Sequence, residues 1–170
     1  MSGPSPIIER SNGHREFLLT GEGRPPYVES RSEPFPDAAS IETVLNARRN
    51  MDDWQEQYGT ARTANNLAAV HICTGDLEAA LAACQEAESK LVDMLQEGNP
   101  HPEPLTFAGL AMVKYNAAVL FWAAGDSENN WAYADDNRLG AHEALMEVGE
   151  DADEDVEFIR SAVMAFPALR

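Results

Sequence analysis

From Asp37 onward, apolar residues return every three or four positions, the period of a helix with one buried face. Ile41, Val44, Leu45, Met51, Trp54 and Tyr58 make the first stripe, which starts at the cap-competent Asp37 and Ser40 and is interrupted at Gly59. The pattern then predicts a second helix from about Thr60 to Thr74 and a third from Leu77 to about Glu97. "EGNPHPEP" follows, with three prolines in eight residues that no helix interior tolerates. A fourth helix, about Leu105 to Ala124, is apolar nearly all round and should be central. A fifth runs from Ser127 to about Val148, and a last one carries Val156, Ile159, Val163 and Phe166 on one face before Pro167.

Residues 1–36 show no sustained period and are rich in Gly, Pro and Ser, which predicts an extended or disordered arm ahead of a helical domain at 37–170. Its "IIE", "FLL" and "PPYV" pieces could dock as short extended segments on the helical body or on a partner. No segment alternates strictly enough to predict a strand. The expected class is all-α, with about six helices arranged as antiparallel hairpins.

Two stretches repeat. "NNLAAVHICTGD" at 65–76 pairs with "YNAAVLFWAAGD" at 115–126: Asn66 with Asn116, Ala68 with Ala118, His71 with Phe121, and Gly75-Asp76 with Gly125-Asp126. Glycine can take the left-handed conformation that ends a helix, and Asp beside it can cap the next. Each copy therefore predicts a helix–turn–helix hairpin. The first copy resembles the tetratricopeptide repeat (TPR), in particular the kinesin-light-chain kind. Asn66, Leu67, Ala68, Gly75, Asp76, Leu77, Ala80, Leu81 and Ala87 fall at signature positions, and "NPHP" at 99–102 is similar to the connection of those longer repeats. The resemblance covers about 61–148 and implies hairpins stacked as a short TPR-like α-solenoid. Ala68 and Ala80 would sit where two helices cross, and Ala87 where the next hairpin packs. The copies lie 50 residues apart, well above the roughly 34 of the family. In the second copy Asn130 stands where a small residue is expected, and only Ala134 keeps that face small. An irregular bundle of helical hairpins is the alternative architecture.

Composition narrows the function. The chain has 170 residues, 44% of them apolar, enough for one domain with a core. Its charge is lopsided, −17 in all, and residues 51–170 hold 22 of the 29 acids against six bases. Such a surface repels nucleic acid and anionic membranes and favours a basic partner, or serves only solubility. The start shows no apolar run of signal-peptide length, and no window approaches the roughly 18 residues of a membrane span, so a cytoplasmic location is expected. Cys73 and Cys84 fit no metal or redox spacing and read as small buried hydrophobes.

Catalytic groups are thin. His14 lies in the arm, His101 in the Pro-rich turn, His142 among acids and His71 at a packing position. No Ser or Cys has a His and Asp placed to activate it, and no phosphate loop follows a strand. Asp151, Asp153 and Asp155 alternate like the start of a calcium loop. Val156 stands where that loop needs Gly, however, and Ala162 where it needs Glu. Neither a metal nor a cofactor is expected, and no enzyme.

Binding remains. In TPR domains the first helix of each hairpin lines a concave groove that accepts extended peptides or partner helices. Carried over by position, the resemblance puts Arg62, Asn65, Asn66, Ala69 and Ile72 on that side from the first copy, and Tyr115, Asn116, Val119 and Trp122 from the second. Asn66 and Asn116 could each hydrogen-bond a ligand's backbone amide, or only satisfy backbone within the bundle. The expected function is a protein–protein interaction module. The alternative is a structural subunit or adaptor of a homo-oligomer or larger complex, its groove filled by its own arm or by a neighbour.

Overall fold

The computed structural model describes residues 3–20, 26–28, 37–49, 53–96, 102–125, 127–149 and 154–167. Three short strands precede six helices: β1 (Ile7–Glu9), β2 (Arg15–Thr20), β3 (Pro26–Val28), α1 (Ala38–Arg48), α2 (Trp54–Thr74), α3 (Leu77–Gln96), α4 (Glu103–Ala124), α5 (Glu128–Val148) and α6 (Glu154–Met164). The expected all-α body is present. The arm adds a small antiparallel sheet, ordered β1-β2-β3, which the sequence pattern did not predict. "IIE" is β1, "FLL" falls in β2 and "PYV" is β3.

Side-chain caps set most helix starts. Asp37 accepts the Ser40 N–H at 2.8 Å, Asp53 that of Glu56 at 2.9 Å, Asp76 that of Ala79 at 3.2 Å and Ser127 that of Asn130 at 3.1 Å. The bonds from Ser40 hold the Asp37 carboxyl below its ordinary range. Gly75 closes α2 in the left-handed conformation, φ +85°. The second hairpin departs from the expected cap: Asp126 lies outside the described residues, and Ser127 caps α5.

The first predicted boundary moves. Gly59 lies inside α2, and the chain breaks between Arg49 and Asp53 instead. The cap at Asp53 restarts the helix there, and Gly59 leaves room for the Arg48 side chain. Val44, assigned to the buried stripe, is 46% exposed, while Ile41 and Leu45 are buried. Met51, His101, Asp151, Asp153 and most of residues 21–36 lie outside the described residues.

The helices stack as hairpins in two layers. α2 packs on α4 and α4 on α6, while α3 lies against α2 and α4, and α5 against α4 and α6. The small residues permit this close approach: Ala68, Ala80, Ala87, Ala118 and Ala134 have no exposed surface. Asn130, where a small residue was expected, folds back to donate to the Gly125 carbonyl at 2.8 Å. α4 is central, and 67% of its 18-residue apolar window is buried inside the protein. Contrary to the sequence expectation, this helix is long and apolar enough to cross a membrane by length and composition.

Candidate functional site

β1 lies across α2 and α4, on the layer that α6 extends. Each edge of this short strand has a different partner. One edge pairs with β2, in the register Ile7↔Phe17, Ile8↔Glu16 and Glu9↔Arg15. Leu18 N–H donates to the Pro6 carbonyl and Arg10 N–H to that of His14, each at 2.8 Å. The other edge meets no strand. Helix side chains satisfy it.

Asn116 accepts the Ile7 N–H on Oδ1 at 2.7 Å and donates from Nδ2 to the Ile7 carbonyl at 2.7 Å. Asn66 does the same one pleat further on, accepting the Glu9 N–H at 3.0 Å and donating to the Glu9 carbonyl at 2.9 Å. Asn65 donates to the Ile7 carbonyl at 3.0 Å and accepts from Asn116 at 2.8 Å, tying the two helices together beneath the strand. Tyr115 donates its hydroxyl to the Ser5 carbonyl at 2.9 Å. A carboxamide presents a donor and an acceptor side by side, as a peptide group does, so each Asn stands in for a strand residue. Asn66 and Asn116 each lie nine residues, about two and a half turns, before the glycine that ends its helix.

Three apolar side chains of the arm are equally enclosed. Ile7, Ile8 and Leu18 have no exposed surface, and each contributes about 1.5–3 kcal/mol by burial. Phe17 packs on Phe158 of α6, ring centroids 4.7 Å apart. Gly3 lies so close to Trp122 that an added Cβ would stand 2.7 Å from its ring. Trp122 in turn meets Trp131 edge-on at 6.2 Å.

One ion pair is buried with the strand. Glu9 Oε1 accepts from Arg15 Nη2 and from the Tyr58 hydroxyl, both at 2.8 Å, with 2% and 4% of the Glu9 and Arg15 side chains exposed. Burial raises the Glu9 pKa, and Arg15, Tyr58 and Arg62 pull it back down. Burial also pushes the Tyr58 and Tyr115 phenols upward.

Of the nine residues that the resemblance assigned to a groove, Asn65, Asn66, Tyr115 and Asn116 bond the arm's backbone, and Trp122 lies against Gly3. Arg62 is half-buried and acts on Glu9 through its charge. Ala69 and Val119 are buried in the core, and Ile72 packs half-buried against it. Glu9, Arg15 and Tyr58 were missed. Their only sequence signal is opposite charge at two positions that a hairpin turn at Asn12–Gly13 brings opposite each other.

The cysteines are unpaired, and burial raises Cys73 to about 11 and Cys84 to about 12. Neither thiol should react with a disulfide reagent at pH 8 in the folded protein, and both should react in urea. Rapid labelling of the native chain would contradict this packing. Among the described residues no group of three or more metal-ligating side chains converges. Searches of protein-family models, of curated proteins and of solved structures found no significant match to this chain.

Proposed function

We propose that this chain is a non-catalytic protein-interaction module of TPR-like architecture, which holds an extended polypeptide segment across α2 and α4 with its own arm as the present occupant. The observation that carries the reading is the pair of carboxamide clamps, Asn116 on Ile7 and Asn66 on Glu9. They bind backbone rather than side chains, so they accept any segment that can extend and offer apolar residues at the enclosed positions. The arm competes with a partner segment for the same groups, which makes it an autoinhibitory plug. The acids of residues 51–170 favour a basic partner, and the unpaired cysteines suit the reducing cytoplasm.

A labelled peptide of residues 3–20 tests the groove. Offered to full-length Ile8→Asp, whose own arm is loosened, it should bind saturably. It should bind wild type at least about tenfold more weakly, because a tethered arm competes at roughly millimolar effective concentration. Adding Asn66→Ala and Asn116→Ala to Ile8→Asp should abolish binding. If folded Ile8→Asp binds no peptide, the groove is not an exchangeable site, and the structural-subunit reading, with a permanently filled groove, takes its place.

A further inference from the structure

A cleft of about 340 Å³ opens where the end of β1 meets α1 and α2, walled among others by Ser40, Ile41, Val44, Arg48 and Arg62. Its two arginines converge on an anomaly. Gly59 sits in the interior of α2, where glycine is about 1 kcal/mol less favourable than alanine. The reason is steric: a Cβ on Gly59 would overlap Nη1 of Arg48 and would stand 3.9 Å from Nη2 of Arg62. Two guanidinium groups from different helices therefore crowd over one bare α-carbon. Thr60 ties the main chain at Arg48 to α2, its hydroxyl shared between the Glu56 carbonyl at 2.8 Å and the Arg48 carbonyl at 3.1 Å.

The nearby carboxylates answer these charges incompletely. Glu56 stands 3.8 Å from Arg48, beyond hydrogen-bond distance. Glu9 is engaged by Arg15 and Tyr58 and reaches Arg62 only through space. Arg10, at the mouth, faces Glu16 at 3.7 Å. Among the described residues neither Arg48 nor Arg62 donates a side-chain hydrogen bond. Two like charges held together in a partly enclosed cleft repel, and a bridging anion relieves the repulsion.

We propose that this cleft binds a phosphate monoester, with Arg48 and Arg62 as the two arms of the clamp. A dianion with three terminal oxygens matches two planar guanidinium forks in both charge and geometry, whereas a carboxylate supplies one charge and two oxygens. The apolar wall of Ile41 and Val44 takes the body from which the phosphate hangs. The chain's overall negative charge opposes approach only at long range, since screening at physiological salt confines it to about 8 Å.

Titration of the full-length protein with inorganic phosphate, free phosphoserine and a phosphoserine peptide, at physiological ionic strength, tests the site. Saturable binding is expected. Arg48→Gln and Arg62→Gln should each weaken it about tenfold or more, and Gly59→Ala, which displaces Arg48, should weaken it too. Val44→Glu adds a negative charge at an exposed rim position where folding is safe, and should abolish binding. Arg138→Gln, on α5, should change nothing. Whether the free phosphoamino acid or the peptide binds more tightly assigns the source, small metabolite or phosphoprotein. No saturable binding, or equal affinity in wild type and in the folded Val44→Glu and arginine variants, overturns the proposal.

Discussion

Asn116→Ala is expected to destabilise the fold by about 4 kcal/mol, read as a lower urea midpoint at unchanged slope. Asn116 is fully buried and makes three hydrogen bonds through one carboxamide. Alanine leaves the Ile7 N–H and the Asn65 Oδ1 without partners in a place water does not reach. Each such orphan costs about 1–3 kcal/mol, and the vacated volume adds to it. The Ile7 carbonyl keeps its bond from Asn65, which limits the loss. Hydrogen exchange at the Ile7 amide should accelerate along with the drop in stability. A loss below about 1 kcal/mol with slow Ile7 exchange would mean that the strand is held by its side chains and not by the clamps.

Arg15→Met should cost about 3–5 kcal/mol at pH 7, because it leaves the Glu9 carboxylate buried without its cation while keeping most of the packing volume. The sign of the pH dependence follows from Glu9. Its pKa already lies above the ordinary 4.5 through burial, with Arg15 the strongest opposing influence, so the substitution raises it further. Below about pH 4.5 the carboxyl is protonated in the folded and unfolded chains alike, and the variant's deficit should be small. As the pH rises through the raised pKa, a lone charge must be buried or its proton retained, and the deficit grows to its full size. Urea titrations of both proteins at pH 4 and pH 7 measure this. An equal deficit at the two values would show that Arg15 acts through packing and not through Glu9.

The helical body was legible in the sequence because α3 and α6 carry one clear apolar face, because α4 is one long apolar run, and because Gly75-Asp76 marks its turn by conformation alone. Asn66 and Asn116 stood out because they repeat. The strands were hidden for a physical reason. β1 is buried on both faces, so Ile7, Ile8 and Glu9 cannot alternate, and half of its hydrogen bonding comes from helix side chains that no local pattern announces. Gly59 carries a similarly ambiguous signal. In sequence it marks a helix end, whereas in the fold it lies inside α2 and makes room for Arg48 arriving from α1. A pair such as Glu9 and Arg15 gains meaning only once the hairpin register is known.

The docked strand also orders events in time. Ile7 meets Asn116, 109 positions later in the chain, and a ribosome adding about 5–20 residues per second needs several seconds to span that interval. Throughout it, β1 can pair with β2 but lacks the Asn116 clamp on its other edge. The helical hairpins, built from neighbours in sequence, can assemble as they emerge, whereas β1 must wait for α4 before its clamp can close. A nascent chain thus carries incompletely covered isoleucines until Asn116 has emerged, and a stall before α4 is complete would leave a sticky product for chaperones to hold.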